Sequence, residues 1–187
     1  MIKKYNELSP TQIYKLMSQT VIPRPIAWIV TEDEGIINAA PFSYFIPLSS
    51  NPPTVIVSIG HKEDGSPKDT LANIRKNKKA TICFVHEENL EDMKKSAESL
   101  PHDQSETETF HIETTRLLPD YPPVITSTKT ALFCDLFEEL DIGGKTIPVI
   151  LKVSAQYIDD TIIDERDNIK LDNIGRVGKS FAKMIEL

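Results

Sequence analysis

The alternation of apolar and polar positions along the chain predicts β-strands that come in hairpin pairs. PIAWIVT (residues 25–31) is a run of strand-forming residues, EDEG follows as a turn, and IINAA (36–40) returns as a second strand. PTVIVSIG (53–60) and ATICFVH (80–86) predict two further strands. TALFCDLFEEL and KTIPVILKVSAQYIDD flank a turn sequence, IGG, and predict another hairpin.

Helical signals are fewer. Residues 9–18 begin with Ser-Pro and predict a short N-terminal helix. GSPKDTLANIRKN predicts a second helix, with Ser66 as N-cap and Pro67 at the first helical position. NLEDMKKSAESL predicts a third, in which Asn89 and Asp92 have the spacing of a capping box.

Three other segments carry weaker patterns. Residues 101–120 are polar and irregular, which predicts loop and short helix over one face of the protein. TIIDERDNIKL predicts a short hairpin or strand. The tail GRVGKSFAKM has two glycines, and we expect a turn of helix after them.

Hairpin pairs with few helices between them favour an antiparallel barrel with peripheral helices over a parallel α/β sheet. VIVSI and ATICFV are apolar on both faces, so the barrel wall should also pack against a helix or a partner subunit. Burial against a second copy is the simplest solution at this length, and we expect a homodimer. Without a linker or internal repeat, residues 1–187 are predicted to form a single domain.

The composition and charge of the chain argue against several classes of function. The net charge of −7 argues against nucleic-acid binding, since there is no surplus of Lys and Arg to displace counterions. No apolar run approaches the roughly 20 residues of a membrane helix, and MIKKYNELSP has no apolar signal segment, so the expected location is the cytoplasm.

Cys83 and Cys134 lie far apart among apolar residues and are expected to be buried small hydrophobes.

The sequence has no pattern for a catalytic side chain or a metal site. Its four histidines do not have metal-ligand spacing, and neither a nucleophile elbow, a phosphate-binding loop nor a dinucleotide-binding glycine motif occurs. If the protein does chemistry, a bound cofactor should supply it.

Two segments could hold such a cofactor. Ala40 and Pro41 remove side-chain bulk and a backbone donor where a planar ligand could lie against the main chain. The alternative for this segment is an edge strand interrupted by proline. Lys68 and Thr70 at a helix start would suit a phosphate group, and the alternative is an ordinary helix cap.

Taken together, several motifs resemble the flavin reductase-like family of FMN-binding split-barrel proteins, which includes flavoredoxin. They occur in the family's order: PRPIAW, NAAPFSYF, SSNPP, VSIG and KDTLANI, all within residues 22–75. Weaker agreement continues through LFEELDIGGK to LDNIGRVG. The resemblance implies a mainly β fold, a six-stranded antiparallel Greek-key split barrel with peripheral helices, and a homodimer with FMN near the subunit interface.

The resemblance also implies which residues bind FMN. The ring would lie against Ala40, Pro41, Phe42 and Ser43, with Asn38 and Trp28 nearby. The phosphate would be held by Ser58, Ile59, Gly60, Lys68, Asp69 and Thr70. Arg24 is a candidate for the anionic end of FMN or for a dimer contact, and Gly175, Arg176, Gly178 and Phe181 match a C-terminal segment that closes over the flavin.

The implied function is an oxidoreductase in which NADH or NADPH passes hydride to flavin N5, without a catalytic side chain of its own. The sequence departs from some reductases of the wider family: it has no Gly-Asp loop with a nicotinamide-contacting histidine, His111 matches that histidine poorly, and His86 replaces a common asparagine. Two alternatives therefore stay open. One is a non-catalytic FMN-binding electron carrier serving a partner protein, and the other is a split barrel that binds a different planar ligand.

Overall fold

The computed structural model describes residues 1–184. Its α-helices are α1 (Pro10–Thr20), α2 (Asp69–Asn77), α3 (Leu90–Lys95) and α4 (Glu106–Thr109). Its strands are β1 (Arg24–Pro25), β2 (Ala27–Asp33), β3 (Ile36–Phe42), β4 (Phe45–Ser50), β5 (Pro53–Gly60), β6 (Lys79–Phe84), β7 (Thr114–Thr115), β8 (Val124–Ile125), β9 (Thr130–Glu139), β10 (Thr146–Ile158), β11 (Ile174–Val177) and β12 (Ser180–Lys183).

The strands confirm a mainly β, antiparallel architecture. In the described part of the chain the main sheet has seven strands in the order β3-β2-β6-β9-β10-β5-β4, rather than the predicted six. The sheet curves so that its first strand, β3, also contacts β5 near the opposite end. β3 and β4 are thus the two edges of a barrel that stays open between them, which is the split-barrel arrangement.

A first apolar cluster fills the barrel interior. Inward-facing residues of β2, β5, β6, β9 and β10 alternate with outward-facing ones, as the two-residue period of a strand requires. Leu71 and Ile74 of α2 join this cluster and are fully buried, so α2 packs against the barrel interior. The position of the start of α2 is therefore set by the core.

A second cluster covers the outer face of β2, β6 and β9. Trp28, Cys83 and Phe133 point away from the barrel interior and pack against residues of the segment from 90 to 125. This explains why ATICFV is apolar on both faces, since the protein's own chain covers the outer face of β6. Ile56 of VIVSI on β5 lies outside this cluster and lines a cavity with the exposed Ile46, so for that strand the partner surface expected from the pattern stays a prediction.

Both cysteines are free and buried, as expected for small hydrophobes. Burial raises the pKa of the Cys83 thiol to about 12. It also raises the pKa of the Cys134 thiol far above the ordinary value. Neither thiol is therefore suited to form a reactive thiolate.

The helix starts differ in part from the predictions. Ser9 caps α1 through a reciprocal pair with Gln12, in agreement with the Ser-Pro signal. The N-cap of α2 is Lys68 rather than Ser66, whose hydroxyl and backbone N–H both donate to the carboxylate of Asp64. Ser66 therefore stabilises a turn, and the helix begins two residues later than predicted.

Two other predicted local details are wrong. Asn89 does precede α3, but its side-chain oxygen accepts from the backbone of His86 instead of capping the helix. The tail forms a hairpin of β11 and β12 and no helical turn. Gly178 makes its reversal with a φ of 55°, a conformation that favours glycine. The fourth described helix, α4, lies in the segment predicted to be loop and short helix.

Arg24 joins three parts of the fold. Its side chain is buried and donates to the carbonyl oxygens of Ser18 and Val21 at the end of α1, and to that of Gly178 in the tail hairpin. Carbonyl groups at a helix C-terminus attract a cation, which offsets part of the cost of burying the guanidinium. None of the helices within residues 1–184 is long and apolar enough to cross a membrane.

Candidate functional site

A cavity of about 600 Å³ opens between strand β3 and the start of helix α2. We call it the β3–α2 cavity. Seven of the sequence-predicted site residues line it: Asn38, Ala40, Pro41, Phe42, Lys68, Asp69 and Thr70. The turn of residues 61–64, the loop of residues 96–100 and Glu106 complete the lining.

The open edge of β3 forms one wall of this cavity. On the side away from β2, the carbonyl oxygen of Ile37 accepts a hydrogen bond from the Ser105 hydroxyl at 2.7 Å. The N–H of Ala39 on the same side donates to the Glu106 carboxylate at 3.1 Å. Pro41, two residues further on, has no N–H to expose there. The proline is therefore compatible with an edge strand, and it leaves no unpaired N–H at its own position on this edge.

Below this edge lies a buried network of polar side chains centred on Asn38. Its amide nitrogen donates to both oxygens of Glu106, at 2.9 and 3.0 Å. Its amide oxygen accepts from the hydroxyls of Thr70, at 2.8 Å, and Thr31, at 3.3 Å. Asn73 in turn donates to Thr31 at 3.1 Å. The Thr70 hydroxyl thus holds Asn38 in place, and a role as a direct phosphate donor would require it to change partner.

Glu106 is a site residue that sequence reasoning missed. The residue is 5% exposed. Three N–H contacts favour its ionised form, but burial outweighs them and raises the pKa of the carboxyl group. Nothing in the segment HDQSETETF distinguishes this acid from an exposed one, so only the tertiary packing reveals it.

The start of α2 presents unpaired backbone donors. Lys68 has no side-chain acceptor to cap the helix, and the first helical bond runs from Ala72 N to Lys68 O. The N–H groups of Asp69, Thr70 and Leu71 have no acceptor among residues 1–184. Such a helix terminus attracts anions because its free donors and its dipole act together.

Of the two charged residues at this helix start, Asp69 is paired with neighbouring side chains and Lys68 is not paired with a carboxylate of the described residues. Asp69 would repel an anion, but its carboxylate accepts from Lys62 at 2.9 Å and from His102 at 2.8 Å. The Lys68 ammonium lies 5.9 Å from the centre of the Phe42 ring. No carboxylate of the described residues comes within 4 Å of it, so Lys68 remains available to an anionic ligand.

Other sequence-predicted residues lie elsewhere. Ser43 lines a neighbouring cavity, and Ser58 lines a third one together with Arg24. The Ile59 side chain is fully buried in the barrel core, and Gly60 lies outside the lining of the β3–α2 cavity. Trp28 is fully buried in the second apolar cluster.

The C-terminal residues named by the resemblance divide between two locations. Arg176 and Phe181 line the neighbouring cavity that also contains Ser43. Gly175 lies against Pro23, where an added Cβ would come within 2.9 Å of the proline Cβ, and Gly178 forms the hairpin turn. His86 is buried and bonds to the Ser127 carbonyl oxygen, and neither it nor His111 lines the β3–α2 cavity.

Comparison with known proteins identifies the family. Residues 17–169 match the model of the flavin reductase like domain. The chain belongs to the flavin reductase-like family. A relative from Aquifex aeolicus, an uncharacterized protein, is 30% identical over 175 residues, covering 90% of this chain and 88% of its own.

Solved structures of flavin reductase-like proteins share the fold. Nitrilotriacetate monooxygenase component B from Bacillus cereus is 25% identical with a TM-score of 0.93, over 100% of this chain and 96% of its own. The 2-nitrobenzoate 2-nitroreductase NbaA from Pseudomonas fluorescens is 27% identical with a TM-score of 0.89, over 100% and 95%. An FMN-binding protein from Thermus thermophilus, 17% identical with a TM-score of 0.79 over 97% and 96%, shares the fold alone.

We expect Glu106 to make the stability of this flavin reductase-like protein pH-dependent. Because its folded-state pKa lies above the ordinary value of 4.5, the folded protein binds more protons than the unfolded chain above pH 4.5. The free energy of unfolding should therefore fall as the pH rises through that window. Glu106→Gln removes this titration, so urea unfolding at a series of pH values should show a smaller decrease for the variant.

Glu108→Gln is the matched control, because Glu108 is an exposed acid on the same helix. It should keep the wild-type pH dependence. Equal slopes for wild type and Glu106→Gln would contradict the assignment of a raised pKa to Glu106.

Proposed function

We propose that this protein is an FMN-binding oxidoreductase that takes reducing equivalents from NADH or NADPH. One observation carries the proposal: the β3–α2 cavity brings the NAAPF strand opposite the uncapped start of α2. A flat, small-residue wall and an anion-attracting terminus in one cavity suit a planar ring that carries a phosphate on a chain.

The cavity fits FMN in size and in the chemistry of its phosphate end. About 600 Å³ lies within the roughly 300–1,000 Å³ of small-molecule sites. The unpaired N–H groups of Asp69 and Thr70, which line the cavity, would donate to phosphate oxygens, and Lys68 would contribute the charge. The pairing of Asp69 with Lys62 and His102 reduces its repulsion of the phosphate.

The wall formed by β3 is suited to bind the ring of FMN. Ala40 and Pro41 keep side chains short, so a ring can approach the backbone. Alternation along the strand puts the carbonyl oxygen of Pro41, which lines the cavity, on the open edge, where it can accept from a ring N–H. The network around Asn38 holds this edge rigid, since both ends of its amide are bonded.

When bound, FMN would supply hydride acceptance at its N5 atom. The protein's own residues would bind the ring, leave one face of it accessible to the hydride donor and hold the geometry of the site fixed. Phe42 lines both the β3–α2 cavity and the neighbouring one, so it stands between the proposed ring site and a second binding space. No specific contact among residues 1–184 favours the electron-carrier alternative.

We expect Lys68→Gln to weaken FMN binding about tenfold or more, because a charge-assisted contact to the phosphate is lost. Fluorescence-quench titration measures the affinity. Riboflavin, which lacks the phosphate, should bind wild type and variant alike.

Lys170→Gln removes an exposed lysine outside the cavity and should leave both affinities unchanged. If Lys68→Gln bound FMN as tightly as wild type, the phosphate would not lie at the start of α2.

The oxidoreductase activity has a direct test. FMN-loaded protein is mixed anaerobically with NADH or NADPH, and the bleaching of flavin absorbance is followed. We expect bleaching well above the rate of free FMN with the same donor. Bleaching no faster than free FMN with either donor would refute the reductase proposal and favour the electron carrier.

We further propose that the protein is a homodimer that pairs through α1 and β4. Met17, Val21, Tyr44 and Ile46 are exposed apolar residues that line one common cavity between these elements. β4 is also an edge strand of the main sheet within residues 1–184, so its outer edge could meet a second copy. An apolar patch beside an open edge supports self-association.

Ile46→Lys should convert the dimer to a monomer, because a charge would be buried in the interface. Light scattering after gel filtration gives the mass. Phe137→Lys, at an exposed apolar residue outside this patch, should stay dimeric. A monomeric wild-type protein would rule out the dimer.

A further inference from the structure

A second cavity, of about 470 Å³, lies beside the β3–α2 cavity and shares Pro41 and Phe42 with it. We call it the basic cavity, because its charged lining residues are Lys94, Arg176 and Lys179. No carboxylate of residues 1–184 belongs to this lining. In a chain of net charge −7, three cations around one concave surface are an unusual concentration of positive charge.

These cations are largely uncompensated. Neither Arg176 nor Lys179 has a carboxylate within 4 Å in the described part of the chain. Lys94 is paired with Glu91 at 2.6 Å, but both side chains are exposed, so the pair holds Lys94 weakly. The β3–α2 cavity, by contrast, is lined by five acidic residues in addition to Lys62 and Lys68. The two cavities therefore differ in their electrostatic environment, whether a single ligand spans both or each binds its own.

Aromatic packing orients the charges of the basic cavity. The Arg176 guanidinium lies 4.3 Å from the centre of the Phe181 ring, and the Lys94 ammonium lies 5.5 Å from it. Arg176 on β11 is the direct cross-strand partner of Phe181 on β12, so the hairpin sets this contact. A guanidinium held over a ring in this way loses little freedom when it meets an anion, and its donor pattern matches phosphate oxygens.

The shared wall defines the shape of a ligand that would use both spaces. Its ring would lie near Phe42, at the border of the β3–α2 cavity, and its anionic part would extend into the basic cavity. We infer that the basic cavity binds the phosphate groups of the nicotinamide dinucleotide that reduces the flavin. This inference rests on the proposed function, and it names residues for the donor rather than for FMN.

The double variant Arg176→Gln/Lys179→Gln tests the inference, with the exposed Lys179→Gln alone as a second variant in case the first folds poorly. The rate of flavin reduction is measured with three hydride donors: NADH, NADPH and the phosphate-free 1-benzyl-1,4-dihydronicotinamide. We expect the apparent KM for the dinucleotides to rise about tenfold or more, while the phosphate-free donor reacts as with wild type. Lys95→Gln, a neighbour of Lys94 outside the cavity, should change nothing.

The comparison of donors identifies the phosphate involved. Equal losses for NADH and NADPH indicate the diphosphate, and a loss confined to NADPH indicates the 2′-phosphate; both support the inference. Unchanged KM values, or an equal loss with the phosphate-free donor, would overturn it.

Calorimetric titration of FMN-loaded protein with ADP and with adenosine 2′,5′-bisphosphate separates this inference from the proposed function. If no donor reduces the flavin but a probe binds wild type and not the double variant, the phosphate site stands and the reductase proposal fails. If wild type binds neither probe and reduces with no dinucleotide, the inference fails as well.

Discussion

The carboxylate of Glu106 and the open edge of β3 form the contact on which the candidate site depends. An edge strand has backbone groups that must find partners, and here Ser105 and Glu106 satisfy Ile37 O and Ala39 N. Glu106 also holds the amide of Asn38, which in turn accepts from Thr70 at the start of α2. A single buried acid thus ties the edge strand to the helix start across the cavity, and the cavity's shape follows from that connection.

This arrangement places two acidic side chains in unfavourable surroundings, and neighbouring groups compensate for them. A buried carboxylate loses its hydration, and three N–H donors compensate for part of that loss. Likewise, Asp69 sits where an anion would bind, and it is paired with the Lys62 ammonium and hydrogen-bonded to His102. The positive charge next to the site is concentrated instead in the basic cavity, around Arg176 and Lys179. One phosphate can therefore bind at the start of α2 while a second anion is attracted to the basic cavity.

The sequence predicted much of the fold because local patterns decide it. The hairpin of β2 and β3, strand β5 and the long strands β9 and β10 follow from apolar runs and turn residues, whose signals lie within a few positions of each other. The errors occurred where two local choices compete. Ser66 can cap a helix or bond to Asp64, and the tail can form a helical turn or a hairpin that packs against β1. Contacts from distant segments decide such cases.

The sequence by itself determined the family, because the NAAPF and KDT motifs are contiguous and specific, and it predicted seven residues that line the β3–α2 cavity. It also assigned Ser43, Ser58, Ile59 and Gly60 to the same site, and these lie elsewhere. It could not identify Glu106, whose importance comes from a contact 67 residues away in the chain. Nor could it show that Thr70 is bonded to Asn38, or that Lys94, Arg176 and Phe181 meet in one cavity. Burial and charge compensation are properties of three-dimensional neighbourhoods, so only the tertiary structure decided them.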